Sequence, residues 1–537
     1  MPRAAPLTAP DAPATPPPVT PRWSLAALHR MAVVTVLGFA SGLPLALTGQ
    51  ALQAWLSGEG MDVATIGFLS LVGLPYTFKF LWAPLMDRFD LPLLGRRRGW
   101  LVLTQLMLAG ALVLLAATPP KGSLQLFALL AVAVAFLSAS QDVAYDAYRT
   151  DLLPARERGL GSSLNVMGYR LAMILSGGVA MIWTDTQHGG GWTWPEVYRL
   201  MAWLMVGAAV LSATVLPRLA PQPPQPTPPG HDVRGFFAVA AAVAVGYGVT
   251  QQVFAPLLST VLAPLWQGST LAPALQRRWM DLGALLAGLA FTLPLAAWAA
   301  RAARFETLRS GLANYFALPG AKAFLLLIVL YKLGDAFALS LMTPFLLKAM
   351  AFTSAEVGVV NKVLGLWLTI LGALVGGTLM LRLGLWRALI VFGFLQGVSN
   401  LGFWWLAVSG KGALPGLLLP AFDWGIVRLS APTTVDGGLL LAVALENVTG
   451  GMGTAAFVAF LMSLTSQRFT ATQYALLSAF SSVGRVWVGP LAGVLAESIG
   501  WPSFFVVATL LSAPALAMLW AMRDTIRALD SEPSATT

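Results

Sequence analysis

Apolar segments long enough to cross a membrane recur throughout this chain of 537 residues. A helix that spans the hydrocarbon core of a bilayer needs about 20 predominantly apolar residues. The mean hydropathy is +0.73, and only 10% of the residues are charged, which is far from the balance of a soluble globular protein. The sequence therefore predicts an all-α polytopic membrane protein in contact with the lipid bilayer.

Fourteen membrane spans are predicted from these apolar runs. They cover residues 31–56, 64–84, 100–118, 124–148, 160–183, 197–216, 235–262, 280–300, 323–348, 357–381, 387–408, 439–465, 473–496 and 502–522.

Basic residues concentrate in alternate connections, as in the cluster 96–98, whereas the intervening connections carry acidic residues such as Glu59. By the positive-inside rule, both termini are predicted to be cytoplasmic. Two predicted outer loops, 263–279 and 409–438, also contain basic residues and depart from this alternation. These basic residues at the membrane surface account for the net charge of +10, so no nucleic-acid partner is expected.

The chain contains no cysteine, which excludes disulfides, thiolate metal sites and a catalytic thiol. With only three histidines in addition, a structural zinc site is not expected. No metal and no cofactor are predicted.

A proline-rich stretch at 217–229, PRLAPQPPQPTPP, follows the first six spans and is predicted to be a semi-extended linker. The sequences on its two sides are weakly related. DVAYDAY at 142–148 aligns with TAAFVAF at 454–460, and MDVATIGF at 61–68 aligns with FTSAEVGV at 352–359. Chance similarity of Ala- and Gly-rich helices is the alternative. A duplicated six-span unit is the architecture of major facilitator transporters, whose substrate site lies between the halves.

The predicted organisation is therefore a major facilitator fold of two six-helix halves, with an extra hydrophobic helix pair between them. Its parts are a disordered cytoplasmic N-terminal tail (1–30), an N-terminal half (31–217), a linker with two extra hydrophobic segments (218–322), a C-terminal half (323–522) and a cytoplasmic C-terminal tail (523–537).

The connection KFLWAPLMDRFDLPLLGRRRGW at 79–100 resembles the cytoplasmic loop signature of the major facilitator superfamily. The resemblance implies that an Asp and an Arg in this loop make contacts between helices that help to hold the outward-facing state. It assigns gating to Asp87, Arg88, Arg96, Arg97 and Arg98. The alternative for each arginine is an interfacial side chain that reaches toward water.

Longer motifs resemble the AmpG family of muropeptide permeases. They are FKFLWAPLMDR at 78–88, SQDVAYDAYRTDLLPARERG at 140–159, LNVMGYRLAMILSGG at 164–178, YKLGDAFALS at 331–340 and ENVTGGMGTAAFVAFLMSL at 446–464. The resemblance covers roughly residues 31–217 and 305–520. It implies proton-coupled import of anhydro-muropeptides across the inner membrane of a Gram-negative bacterium. The related acetyl-CoA transporters share the Trp-Ala-Pro region, so acetyl-CoA or another anionic solute is the alternative cargo.

Charged residues inside the predicted spans are functional candidates, because each is costly in a membrane unless it is paired or faces water. Asp142 and Asp146 lie on one face of a predicted helix, and Arg149 follows Asp146 at a distance that allows an ion pair. The two carboxylates suit proton coupling, and a structural ion pair is the alternative. Lys332 and Asp335 are predicted to be either a second coupling pair or an internal salt bridge.

Other polar and aromatic residues inside the spans are candidates for binding the solute. They are the cations Lys79, Arg170, Lys362 and Arg485, the amides Gln50, Gln53, Gln141, Asn165 and Asn447, and the aromatic residues Tyr145, Tyr148, Tyr169 and Trp367. Fixed cations would attract the carboxylates of a solute. Amide side chains would form hydrogen bonds with its sugar groups, and aromatic rings would stack on the sugar rings. The alternatives are ion pairs, hydrogen bonds between helices and interfacial packing. Glu446 is predicted to be a charge at a helix N-terminus.

Two other classes of protein fit parts of the sequence. A membrane enzyme acting on a lipid-linked sugar would use the paired aspartates to hold magnesium. No histidine or nucleophile constellation in the loops supports that interpretation, and an enzyme has no need of a six-span duplication. A sensor on the same scaffold lacks a signalling domain at either end of the sequence.

Overall fold

A computed structural model of the chain describes residues 24–61, 70–92, 94–184, 191–219, 228–262, 264, 273–342, 345–352, 356–357, 360, 364–423, 428–429 and 432–529. Its first nine α-helices form the N-terminal half of the molecule. They are α1 (Leu25–Thr48), α2 (Gln50–Gly58), α3 (Leu74–Phe78), α4 (Ala83–Arg88), α5 (Arg96–Ala117), α6 (Leu124–Leu152), α7 (Arg158–Met173), α8 (Ala180–Trp183) and α9 (Trp194–Thr214).

An inserted segment and a C-terminal half follow. The insertion contains α10 (Pro229–Val249), α11 (Ala255–Leu262), α12 (Pro273–Ala302) and α13 (Glu306–Phe316). The C-terminal half contains α14 (Ala321–Tyr331), α15 (Leu333–Ser340), α16 (Gly365–Ser409), α17 (Gly437–Ser463), α18 (Thr470–Ile499), α19 (Trp501–Leu510), α20 (Ala513–Ala521) and α21 (Arg523–Ala528).

Local sequence signals explain where several helices begin. Thr193 and Glu196 form a capping box at the start of α9, with the Thr193 amide donating to Glu196 Oε2 at 2.8 Å. Asp436 caps α17 by accepting a hydrogen bond from the Leu439 amide at 2.9 Å. These caps satisfy amide groups that have no partner inside the helix.

The second predicted span, 64–84, is not one continuous helix over its described part. From residue 70 onward the chain forms a 3₁₀ turn at Ser70–Gly73, the short helix α3, another 3₁₀ turn at Lys79–Leu81 and then α4. Pro75 and Pro84 lie in the first turns of α3 and α4, where a missing amide hydrogen is tolerated. The predicted span thus consists of short helical pieces over its described part, and two of these pieces begin beside Pro75 and Pro84.

Nine helices within the described residues are long and apolar enough to cross a membrane. The number is ten if the helices over 286–302 and 306–316, which are bent by 119° relative to each other, form one span. The predicted total of fourteen is therefore not confirmed. Part of the difference is α16, which contains two helices separated at Gly384 (φ 73°), corresponding to the predicted spans 357–381 and 387–408.

The predicted outer loop 409–438 contains the β-structure that an all-α prediction missed. Strand β1 (Leu417–Leu419) pairs antiparallel with β4 (Thr433–Val435), and β2 (Phe422–Asp423) pairs with β3 (Arg428–Leu429). The register places Leu418 opposite Thr434. The loop therefore folds back on itself as a narrow antiparallel ribbon between α16 and α17.

The two halves pack on each other, and one end of the bundle is rich in arginine. Helix α7 contacts α16 and α17, and α18 contacts α4 and α6. We call the end of the bundle where α5 and α7 begin the basic end, because Arg30, Arg96 and Arg158 lie there. The bidentate ion pair between Arg30 and Glu157 ties α1 to the start of α7 at this end, with the Arg30 Nε donating to Glu157 Oε2 at 2.8 Å.

A glycine at the centre of α7 permits the close approach of α1. A Cβ atom built on Gly168 would overlap the carbonyl oxygen of Thr35 and would lie 2.9 Å from the amide nitrogen of Phe39. These are backbone atoms of α1, so a side chain cannot be accommodated by a rotamer change. By contrast, nothing lies within 4 Å of a Cβ built on Gly207 of α9.

We predict that Gly168→Ala lowers the stability of the purified protein by about 1–3 kcal/mol, because it overpacks the α1–α7 contact. The matched variant Gly207→Ala should be neutral or stabilising by up to about 1 kcal/mol, because alanine favours a helix over glycine. Thermal unfolding of both variants in detergent measures the difference. Equal unfolding temperatures would contradict the assigned contact.

Candidate functional site

A cavity of about 710 Å³ lies between the two halves. Helices α1, α2, α6 and α7 line it from the N-terminal half, and α17 and α18 line it from the C-terminal half. This position matches the expectation that a duplicated bundle binds its solute between the repeats. Cavities of 300–1,000 Å³ are typical of small-molecule sites.

Five charged side chains lie in the lining of the cavity. They are Lys79, Asp142, Asp146, Arg149 and Arg170. Asp146 is shared by two cations, because Lys79 Nζ lies 3.5 Å from its Oδ2 and Arg149 Nη2 lies 2.8 Å from its Oδ1. Asp142 instead accepts a hydrogen bond from the Ser41 hydroxyl of α1. With three cations and two carboxylates, the lining carries one net positive charge when all five are ionised.

The contact between Ser41 and Asp142 has a counterpart in the other half. The sequence repeat aligns Asp142 with Thr454, and the alignment of 61–68 with 352–359 extends back to place Ser41 opposite Lys332. In the structure Lys332 Nζ donates to Thr454 Oγ1 at 3.3 Å. The two halves therefore bring equivalent positions together but fill them with different charges.

A second group of charges surrounds Glu446 in the C-terminal half. Glu446 interacts electrostatically with Asp335, Arg170 and Lys332. It lies ten residues into α17, so its interpretation as a helix N-terminal charge was wrong. Because Arg170 also lines the cavity, this group adjoins the cavity from the side of the C-terminal half.

Asp87 joins the halves at the basic end by binding the start of α18 in the opposite half. Its carboxylate accepts hydrogen bonds from the amides of Ala471 at 3.2 Å and Thr472 at 2.7 Å, and from the Thr472 hydroxyl at 2.6 Å. Arg97 Nη1 donates to the same carboxylate at 2.9 Å. The negative charge also interacts favourably with the dipole of α18.

Two further links lie beside this contact. Asp151 at the end of α6 accepts from Arg97 Nε at 2.8 Å and from the Thr470 hydroxyl at 2.6 Å. Farther from the basic end, Arg149 Nη2 donates to the Tyr474 hydroxyl at 2.8 Å and forms the floor of the cavity. From this floor the lining extends along the second half of α1 to α2, away from the basic end.

The other predicted gating residues make different contacts. Arg96 Nη1 donates to the Asp87 carbonyl oxygen at 2.8 Å. Arg98 donates to the carbonyl oxygens of the last turn of α9. Arg88 lies 3.2 Å from Asp232 of the insertion. Of the five predicted residues, Asp87 and Arg97 thus take part directly in the network that joins the halves.

The structure brings eight predicted site residues to the lining of the cavity. They are Gln53, Lys79, Asp142, Tyr145, Asp146, Asn165, Tyr169 and Arg170. The Tyr145 hydroxyl lies 2.7 Å from Asn165 Oδ1, so these two line the cavity as a connected pair.

Other predicted residues lie away from the lining. Tyr148 donates to the Pro217 carbonyl oxygen at 3.0 Å, Gln141 is buried within the N-terminal half, and Trp367 is 54% exposed on the surface of the bundle. Asn447 accepts from the Thr369 hydroxyl at 2.8 Å, a hydrogen bond between helices. Lys362 and the side chains of Gln50 and Arg485 lie outside the described part of the chain.

Sequence reasoning missed several lining residues. Arg149 entered only as a partner of Asp146, and Tyr76 and Tyr474 were not considered. Thr454 could have been found, because the repeat aligns it with Asp142. Tyr474 offered no such signal. Among the described residues, no group of three or more histidine, aspartate or glutamate side chains could hold a metal ion.

We predict that Asp87→Asn opens the basic end, because a neutral amide cannot replace a carboxylate that accepts from four donors. The native chain lacks cysteine, so spin labels can be attached at Arg156→Cys and Arg468→Cys, two exposed positions on opposite halves. The distance distribution between the labels should shift to longer values. The exposed, weakly paired Asp90 provides the matched control Asp90→Asn, which should leave the distribution unchanged. An unchanged distribution in Asp87→Asn would contradict the closing role.

Comparison with known proteins agrees with this architecture. The family model of the Major Facilitator Superfamily matches residues 34–437. The anhydromuropeptide permease of Escherichia coli (strain K12) is 42% identical over 497 residues, which cover 93% of this chain and 80% of that protein. The putative transporter AmpG 4 of Rickettsia conorii is 27% identical and covers 91% of this chain and 96% of its own length.

A solved structure shares the fold. The proton:xylose symporter XylE superposes with a TM-score of 0.58, over 92% of this chain and 95% of that chain, at 11% identity. This likeness concerns the fold alone. The superfamily match and the 42% identity to a permease confirm the resemblance found in the sequence. The chain belongs to the AmpG-type permease family of the Major Facilitator Superfamily.

Proposed function

We propose that this protein imports anhydro-muropeptides from the periplasm into the cytoplasm, by alternating access and coupled to protons, for recycling of the cell wall. The observation that carries the proposal is a charged cavity between the halves of a chain that is 42% identical to an anhydromuropeptide permease. The predicted location is the inner membrane, with both termini cytoplasmic.

The polar lining supports a solute that combines sugar and peptide. Gln53, Asn165 and Tyr169 offer hydrogen-bonding groups for hydroxyl and amide groups. The cations Lys79, Arg149 and Arg170 in the same lining can attract an anionic solute. Muropeptides carry both kinds of group.

The closed basic end supports a direction of transport. If this end is cytoplasmic, as the positive-inside rule predicts, the cavity extends toward the periplasm. Solute would then enter from the periplasm and leave after the contacts of Asp87 with α18 break. Exchange between these two arrangements constitutes alternating access.

Asp142 and Asp146 are our candidates for proton coupling. Protonation of Asp146 would weaken its contacts with Lys79 and Arg149, and the latter also holds Tyr474 of the other half. Protonation of Asp142 would change its hydrogen bond with Ser41 of α1. Either event alters contacts at the junction of moving helices, which is what coupling requires. Lys332 and Asp335 remain candidates for a second coupling group.

Uptake of a labelled N-acetylglucosaminyl-anhydro-muropeptide into right-side-out vesicles tests the proposal. A pH difference of about one unit, acid outside, supplies about 1.4 kcal/mol per proton and about tenfold accumulation. We expect accumulation that collapses when the gradient is dissipated. If acetyl-CoA accumulates and the muropeptide does not, the transporter assignment stands and the cargo is wrong. Chemical conversion of the cargo by purified protein would instead indicate an enzyme, although the family is one of transporters.

We further predict that Asp142→Asn and Asp146→Asn reduce the accumulation ratio to about one while solute exchange across the membrane continues, because binding survives and coupling is lost. Parallel measurement of uphill uptake and of equilibrium exchange separates the two. Asp90→Asn is the control, since Asp90 is exposed and lies outside the cavity. Normal uphill uptake by both cavity variants would remove these aspartates from the mechanism.

A further inference from the structure

Arg149 is buried at the floor of the cavity with most of its donors unused. Its side chain is 1% exposed. Nη2 donates to Asp146 Oδ1 and to the Tyr474 hydroxyl, each at 2.8 Å. Nε and Nη1 make no hydrogen bond to any described residue. Three of the five N–H groups of this guanidinium therefore lack a partner in the described part of the chain.

Such an arrangement is costly unless a ligand completes it. A buried donor without a partner loses about 1–3 kcal/mol relative to its solvated state, and more when the group is charged. Most buried polar groups in proteins are satisfied, so an exception at a cavity wall calls for an explanation. Arg149 lines the cavity. Nε and Nη1 are themselves shielded from solvent, so a solute that uses them must displace part of the floor.

The guanidinium is held in place from both halves. It lies 5.4 Å from the ring centroid of Tyr145 on its own helix and 5.5 Å from that of Tyr474 on α18. Two aromatic contacts and two hydrogen bonds restrict its orientation. A guanidinium fixed in this way presents charged donors in set directions, and hydrogen bonds from a charged donor to a carboxylate are stronger than those to a neutral acceptor.

A charged acceptor suits the unused donors of Arg149 better than a neutral one. Asp146 is shared between Arg149 and Lys79 and engages only Nη2 of the guanidinium. A carboxylate from the solute would accept from Nε or Nη1 and form a charge-assisted hydrogen bond. A neutral amide in the same place would accept a weaker hydrogen bond.

We propose that Arg149 is the carboxylate-binding residue of the cavity and that it selects solutes with a free acid group positioned at the floor. This inference rests on the proposed function and adds a residue and a chemical group to it. Because Arg149 also donates to Tyr474, the bound carboxylate lies at the contact between the halves. Solute recognition and the state of the floor therefore depend on the same side chain.

The experiment compares binding of a muropeptide with binding of the same molecule after amidation of its carboxyl groups, by calorimetry on purified protein in detergent. The wild type should bind the acid about 10- to 100-fold more tightly than the amide, the difference expected for hydrogen bonds to a charged group. Arg149→Gln should bind both forms with similar, weaker affinity. Arg149→Lys should recover part of the preference because it keeps the charge.

Arg170→Gln is the matched control, since Arg170 is a second cation in the same lining. It should keep the preference for the acid over the amide, whatever its overall affinity. If Arg149→Gln weakens the acid and the amide forms by the same factor, the residue has a structural role and the inference is overturned while the proposed function stands.

A second measurement does not depend on the cargo. Succinate should raise the unfolding temperature of the wild type more than succinamide does, because a ligand that binds the folded state stabilises it. The difference should vanish in Arg149→Gln and persist in Arg170→Gln. If the wild type fails to bind the muropeptide but shows this difference, the proposed function fails and the carboxylate site stands. Equal effects of succinate on the wild type and Arg149→Gln would overturn the site.

Discussion

The contact between Asp87 and the first turn of α18 is the interaction on which the observed arrangement of the halves depends. A helix N-terminus presents amide groups that have no partner within the helix, and a carboxylate satisfies them and the helix dipole together. Asp87 comes from the opposite half and is itself held by Arg97. The contact therefore joins groups that are both costly to leave unpaired.

The cost of an unpaired charge also explains how the carboxylates inside the bundle are paired. Asp146 is held by two cations, and Asp142 by a hydroxyl group, although they are one helical turn apart. In the C-terminal half the equivalent of Asp142 is Thr454, which meets the cation Lys332. The backbone repeat is kept while its charges differ, so the fold does not require these carboxylates. Their presence in one half only is a property of the site, which makes a functional role the simpler account of their cost.

Sequence patterns were sufficient to predict the helical class from apolar run length and the family from its motifs. They also singled out Asp142 and Asp146, which line the cavity. Sequence patterns were not sufficient where the position of a side chain depends on contacts between residues that are far apart in the chain. Hydropathy presented 64–84 as one apolar run, whereas its described part forms short helices, two of which begin beside Pro75 and Pro84. Trp367 was assigned to the cavity by residue type, but its position on α16 faces outward. Tyr474 was missed because its contact with Arg149 joins residues 325 positions apart.

The inserted helices are anchored beside the contact between Asp87 and α18. Asp232, at the start of α10, is fully buried and accepts hydrogen bonds from the amide of Thr307 at 3.0 Å and from its hydroxyl at 2.7 Å. It also lies 3.2 Å from Arg88, next to Asp87. Helix α13 in turn accepts a hydrogen bond from Gln473 of α18 at the Gly311 carbonyl oxygen. The insertion is thus attached on both sides of the Asp87 contact, so separation of the halves must also rearrange its anchor.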